Sequence, residues 1–315
     1  MQGKVQLEAR SAAPVYVGID VCKDHLDVYL HPLGQAIRLT NSKDGIRRLK
    51  RLLAGHPVAM VVMEATGKHH RLTHRSLSQS GIAVAVVNPL RSRLFAEAIG
   101  TRAKTDRVDA KMLAILGDAL GPQTMPPASE TLEALQELVH ARNAATAERT
   151  ALSNRRAASS TTFLKAEINR RLKSLDRHVE RIAAEPPLTR RQQILLSIPG
   201  VGPGVAANLL VDLAELGSLD RHAAACLAGV APFADDSGEL SGLRRIKGGR
   251  ASPRRALYWA ALSAARHNPD LSAFHKRLVE NGKKPKVALT AVMRKLVVLA
   301  NTLIKEDRLW VNHAA

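Results

Sequence analysis

Val15-Tyr16-Val17-Gly18-Ile19-Asp20-Val21 is an apolar run, rich in β-branched residues, with an acid near its end. Such a run reads as a buried strand. Residues 26–30 and 35–40 give two more strands after short connections, which predicts an antiparallel meander. Asn41 or Ser42 then caps a helix whose Ile46, Leu49, Leu52 and Leu53 share one face. Val58-Ala59-Met60-Val61-Val62-Met63-Glu64 is a second apolar run closing on an acid. A helix over about residues 69–80 and a strand over 82–87 follow, and Asn88-Pro89 opens a further helix. A meander followed by alternating helices and strands predicts a mixed α/β sheet domain over residues 14–125.

Acids at the ends of apolar strands are costly unless paired or metal-bound. In open α/β sheets ligands gather at strand ends, so Asp20 and Glu64 are expected at one crevice. Lys104-Thr105-Asp106-Arg107-Val108-Asp109-Ala110 adds two carboxylates three residues apart, and the helical pattern continues through residues 111–116. Positions i and i+3 share a helix face, so Asp106 and Asp109 can address one target. Like charges at that spacing repel unless a cation lies between them, and a divalent metal is the usual partner. Alone, such a pair is more often a solvated helix start, favoured by the helix dipole. Together with Asp20 and Glu64 it points to a metal centre.

The charge balance names the partner class. In 315 residues, 47 Lys+Arg stand against 28 Asp+Glu, for a net charge of +19 and a pI near 10.6. That surplus suits a polyanion, most simply nucleic acid. Aromatics make up only 3%, which argues against a binder that works chiefly by stacking bases. Cys22 and Cys226 are far apart, which fits a reducing cytoplasm and excludes a cysteine zinc site. Residues 1–13 lack an apolar signal core and are expected to form a disordered tail. The apolar stretch 287–304 is interrupted by Arg294 and Lys295, so it reads as a buried helix rather than a membrane span. No membrane partner is expected.

Residues 126–187 read as a helical connector. Ile168, Leu172, Leu175, Val179 and Ile182 follow a 4-3-4-3 rhythm, a short coiled-coil seam that serves either a dimer or an intramolecular hairpin. Pro186-Pro187 marks the boundary to a mainly helical C-terminal domain over 188–315. There Ile198-Pro199-Gly200-Val201-Gly202-Pro203 joins two helices in a helix-hairpin-helix-like element. Gly200 and Gly202 let backbone amides approach a phosphate, although a purely structural turn is a fair alternative. Ser237 lies in a Ser/Gly loop ahead of Arg244, Arg245, Lys247, Arg250, Arg254 and Arg255. Those cations can hold a phosphate beside a serine Oγ. On spacing alone, a flexible loop is the simpler reading.

In order along the chain, Gly18-Ile19-Asp20-Val21-Cys22-Lys23, Met63-Glu64-Ala65-Thr66-Gly67 and Lys104 to Ala110 are followed by Ile198 to Pro203, Ala228-Gly229-Val230-Ala231-Pro232, Ser237-Gly238 and Ile246-Lys247-Gly248-Gly249. This set resembles the DEDD transposases of bacterial insertion sequences, relatives of the Piv DNA invertase that include bridge-RNA-guided recombinases. The resemblance implies an RNase H/RuvC-like N-terminal domain in which Asp20, Glu64, Asp106 and Asp109 bind Mg²⁺, with Mn²⁺ as a substitute. It implies a C-terminal transposase domain whose nucleophile matches Ser237, with Ser241 as the competitor. Two subunits of a dimer or tetramer would share a composite site, and a bridge RNA would select the DNA partners. Cys22 departs from the small residue common there, and Lys68-His69-His70 replaces a segment that often carries a Tyr. His70 is read as structural, and Asp24 and Asp27 as lying outside the ligand set.

The expectation is therefore a metal-dependent DNA recombinase that cuts and rejoins strands through a serine–DNA phosphoester, cytoplasmic and held at the nucleoid. Its rivals are a RuvC-like structure-specific endonuclease that cuts with water, and a catalytically inactive nucleic-acid-binding protein.

Overall fold

A computed structural model of the chain describes residues 13–65, 67–100, 106–155, 159–234, 242 and 244–312, with the backbone alone at 106–107 and 159–161. The tail expected at 1–13 lies, but for Ala13, outside the described residues. The chain forms two compact units, Met1–Ala128 and Ser129–Ala315.

The first unit is built on a five-stranded mixed sheet. Its strands are β1 (Val15–Val21), β2 (His25–His31), β3 (Gln35–Thr40), β4 (Val58–Glu64) and β5 (Val84–Val87), in the spatial order β3-β2-β1-β4-β5. The β1–β2–β3 meander is antiparallel, whereas β4 runs parallel to β1 and β5 parallel to β4. Parallel neighbours need crossovers, here carried by α1 (Lys43–Ala54) and α2 (Arg71–Ser78). Ser42 caps α1 by accepting the Gly45 N–H on its Oγ. The helix expected from residue 69 starts at Arg71, because residues 67–70 form a turn. β5 starts at Val84 rather than 82, after the turn at Gly81 with its φ of +77°. Then come α3 (Pro89–Ala98) and α4 (Asp106–Leu120).

Strand alternation gives the sheet two different faces. Val15, Val17, Ile19 and Val21 of β1 join Leu26, Val28 and Leu30 of β2 and Ile46, Leu49 and Leu53 of α1 in the larger core. The opposite face is covered by α4, whose Leu113 and Leu116 pack on Val62, Ala85 and Val87. Gly18 is the point of closest approach. A Cβ there would lie 1.9 Å from the Ala110 carbonyl oxygen and 2.5 Å from the Ala114 nitrogen. Gly117 returns the fit from the helix side, where a Cβ would lie 2.9 Å from Val62 Cγ2.

Among the described residues the second unit is helical apart from one short ribbon. It comprises α5 (Glu130–Asn154), α6 (Ser159–Ala183), α7 (Thr189–Ser197), α8 (Pro203–Asp212), α9 (Arg221–Leu227), β6 (Pro232–Phe233), β7 (Arg245–Ile246), α10 (Ala251–His267), α11 (Pro269–Glu280) and α12 (Pro285–Lys305). The heptad stripe of α6 is used within the chain. Ile168 and Leu172 pack with Ala145, Leu152 and Leu175, while Val179 joins Leu135 and Val139 in the main core of the unit. The α5–α6 pair is thus a hairpin. α12 is long and apolar enough to cross a membrane, but half of its most apolar window is buried inside this unit. Leu296, Val297 and Leu303 are among its core residues.

Candidate active site

Asp20, Glu64 and Asp109 belong to the α4-covered side of the sheet. Asp20 shares the face of Tyr16 and Gly18, and Glu64 that of Met60 and Val62. In the parallel β1–β4 register Gly18 pairs with Val62 and Ile19 with Met63, so one step further Asp20 and Glu64 fall side by side. Strand neighbours lie about 4.7–4.9 Å apart. α4 runs antiparallel to β1, since Ala110 and Ala114 lie over Gly18 whereas Gly117 lies by Tyr16. Its first turn, with Asp106 at the start and Asp109 one turn on, is therefore directed toward the Asp20 and Glu64 end. His31 Nε2 at 3.4 Å from an Asp118 carboxylate oxygen, and Lys111 at 6.0 Å from the Tyr29 ring centroid, tie α4 to β2.

Asp27 is the acid most easily mistaken for a member of this group, since it stands directly opposite Asp20 across β1 and β2. It is 2% exposed, and Arg38 binds both of its oxygens, Nε to Oδ1 at 2.9 Å and Nη2 to Oδ2 at 2.8 Å. Its charge is already compensated. Glu64 accepts a hydrogen bond from Ser92 Oγ of α3. Ser92 is buried. It sits one turn after the Asn88-Pro89 break, where nothing in the sequence pattern singles it out. His70 precedes the first turn of α2 as its N-cap residue.

Carboxylate oxygens are the donor set that hard divalent cations take. Among the described residues no three His, Cys, Asp or Glu side chains already surround a common point. The Asp106 side chain lies outside the description. The donor chemistry fits a divalent ion, with Glu64 presently held by Ser92.

In the second unit Ser237, with its competitor Ser241, lies outside the described residues. The segment is framed by β6 and β7, where Pro232 pairs with Ile246 and Phe233 with Arg245. The base of this ribbon rests on glycines. A Cβ at Gly249, where φ is +67°, would lie 2.3 Å from the Gly229 nitrogen and Cα, so two backbones meet there. Arg254 donates to the Gly248 carbonyl.

The basic cluster divides by role. Arg250 grips Glu215 with two hydrogen bonds of 2.6 and 2.8 Å and also donates to the Asp212 carbonyl at 2.6 Å. Burial would push the Glu215 carboxyl up, but the bonds and charge of Arg250 and the charge of Arg191 hold it below its ordinary value. Arg191 in turn donates to the Ala214 and Leu216 carbonyls, its own pKa lowered by burial against the pull of Glu215. Arg254 therefore braces the base of the ribbon, while Arg250, itself exposed, ties the start of α10 to the segment after α8. Arg244, Arg245, Lys247 and Arg255 are exposed. Arg244 and Arg245 line a cavity of about 380 Å³ with Lys286, Thr290 and Arg294 of α12. The i, i+4, i+8 spacing of those three was a readable signal that a search for acids passes over.

The glycine-rich turn between α7 and α8 also divides. Gly200 has a φ of +103°, and a Cβ there would lie 2.7 Å from the Ala264 nitrogen, so close packing on α10 requires glycine. Gly202 meets no such neighbour and begins α8 with an exposed backbone.

Residues 17–165 match a family model described as "Transposase", that of the DEDD transposases of the IS110 type. Residues 192–276 match a second, described as "Transposase IS116/IS110/IS902 family". The "Pilin gene-inverting protein" of Moraxella bovis is 29% identical over 318 residues, an alignment covering 93% of this chain and 96% of the relative. The protein of the same name from Moraxella lacunata is also 29% identical, with the same coverage. The family is one of DNA-recombining enzymes, and its DEDD type implies a divalent metal. Both models fall on this chain in order, the first over the sheet, α5 and the start of α6 and the second over α7 to α10 and most of α11, so the chain belongs to the IS110 family of transposases.

Proposed function

We propose that this protein is a metal-dependent DNA recombinase in which Asp20, Glu64, Asp106 and Asp109 hold Mg²⁺ and Ser237 is the nucleophile. The observation that carries this reading is the side-by-side register of Asp20 and Glu64 on the face that α4 covers, with Asp109 in the first turn of that helix. The strand order β3-β2-β1-β4-β5 supports an RNase H/RuvC-like assignment for residues 14–125. Residues 126–187 then form the connector and 188–315 the transposase domain.

Ser237 Oγ attacks the scissile phosphorus, losing its proton as the new P–O bond forms, and the displaced strand oxygen leaves and takes up a proton. The phosphoserine keeps the phosphodiester energy, so attack by a second strand hydroxyl reverses the step and rejoins DNA. A divalent ion, when bound, polarises the phosphate and stabilises the leaving oxygen. Arg244, Arg245 and Lys247 offset charge at the phosphate. The exposed amides at Gly202 receive a second phosphate at the start of α8. Arg255 joins Arg244, Arg245 and Lys247, and Arg250 and Arg254 reach DNA in addition to the bonds they make to Glu215 and to the Gly248 carbonyl. The family supports a bridge RNA as guide and a dimer or tetramer as the working form. The pilin gene-inverting relatives support inversion of a DNA segment as the outcome.

Trapping covalent protein–DNA adducts on a nicked substrate tests this. The adduct should form with the native protein, vanish in Ser237→Ala and persist in Ser241→Ala. Cleavage without any adduct in the native protein would favour hydrolysis by water.

A further inference from the structure

A cavity of about 690 Å³ lies among α9, α11, α12 and the segment around Trp310, unused by the chemistry above. Its size falls within the roughly 300–1,000 Å³ of small-molecule sites. Arg221, Arg294 and Lys295 contribute cationic side chains to its lining near the acid Asp270, while Arg308, also in the wall, is paired with Glu306 at 2.5 Å. Phe274 and Trp310 add aromatic surface, in a chain with only four Phe and two Trp. Lys295 Nζ sits 4.1 Å from the Phe274 ring centroid, so charge and aromatic surface are offered together.

Asn268 makes the cavity specific. It is 0% exposed and lines the wall. Its Oδ1 accepts the Leu271 N–H at 3.1 Å and caps α11, which leaves Nδ2 as a buried donor with no hydrogen-bond partner. Such a donor is costly to leave unmade, and a bound acceptor would satisfy it.

We propose that this cavity takes one unstacked nucleotide of a nucleic-acid strand, with its phosphate on Arg221, Arg294 and Lys295, its base against Trp310, and an acceptor on the base edge facing Asn268. Phe274, with Lys295 and Arg277 over its ring, positions the cation rather than the base. Base–aromatic stacking combined with cationic contact is how single strands are commonly held. Arg294 and Ala291 also line the smaller cavity beside the β6–β7 ribbon. A nucleotide held here therefore neighbours the phosphates held there. The proposal rests on the DNA-acting reading but assigns a site that reading does not need.

The test measures binding of fluorescein-labelled oligothymidylate, oligouridylate and a short duplex to the full chain. Asn268→Asp keeps the cap oxygen and replaces the unpaired donor, and Trp310→Leu keeps the backbone N–H that reaches Ser197 Oγ. Each should weaken single-strand binding about tenfold with duplex binding unchanged, both measured well below the melting temperature of each variant, since Trp310 packs on the core and Asn268 is buried. Loss confined to the thymidylate arm assigns DNA, and loss confined to the uridylate arm assigns RNA. Unchanged single-strand affinity in both variants overturns the proposal while duplex binding keeps the recombinase reading intact. A native chain that binds no duplex overturns that reading instead.

Discussion

In the first unit the candidate acids sit on strand ends and the first turn of a helix, and their directions follow from the pleat and the helix period. In the second unit the candidate serine lies outside the described residues, whereas the cations belong to β7 and the stretch that runs from it into α10. Like residue types serve opposite ends in the two places. Asp27 looks like a ligand and is neutralised by Arg38; Arg250 looks like a phosphate contact and is engaged by Glu215. In both units a charge that the residue type alone would assign to a ligand is held by a partner of opposite sign. The partner lies 11 residues away in one case and 35 in the other.

Six substitutions test that contrast, in falling order of effect. Asp109→Asn should reduce strand cleavage on the order of 100- to 1,000-fold while leaving duplex affinity near native; Asp27→Asn should instead act through stability. Equal cleavage losses from both, with unchanged melting, would erase the distinction between them. Gly18→Val should destabilise the first unit by about 3 kcal/mol in urea unfolding, since the Ala110 backbone cannot yield as a side chain could. Glu215→Gln should cost the second unit about 1–2 kcal/mol near neutral pH. Because the Glu215 carboxyl lies below its ordinary value of 4.5 in the folded protein, its contribution is present above that value and is lost as pH falls through the folded one. The gap between native and Glu215→Gln should therefore close in acid, and a gap independent of pH would remove the ion-pair explanation. Arg245→Ala should lower duplex affinity only a few-fold and reduce the salt slope by about 1, whereas Arg250→Ala should act mainly on melting temperature.

The strands were legible because apolar, β-branched runs with short connections leave little choice, as at Val15–Val21 and Val58–Glu64. The α5–α6 stripe was legible as a helical seam, but its partner was not, because a dimer and a hairpin bury the same residues. Register was the first hidden quantity. It brings Asp20 beside Glu64 and Arg38 beside Asp27, and the pattern of a single strand contains neither pairing. Approach between elements was the second. Gly18 read as a motif residue and Gly200 as a phosphate contact, yet the first admits α4 and the second admits α10. Ser92 went unnoticed because a serine after Asn-Pro is ordinary until Glu64 is found beside it.

Gly18 on the strand and Gly117 on the helix work together as a keyway. They set how far α4 may slide and turn against the sheet, and a shift of one residue along a helix swings every side chain by about 100°. Apolar residues of α4 can be exchanged for others of similar volume without disturbing that setting, whereas a single methyl at either glycine would re-aim the acids. This makes two residues with no functional atoms of their own as intolerant of substitution as the side chains whose direction they set.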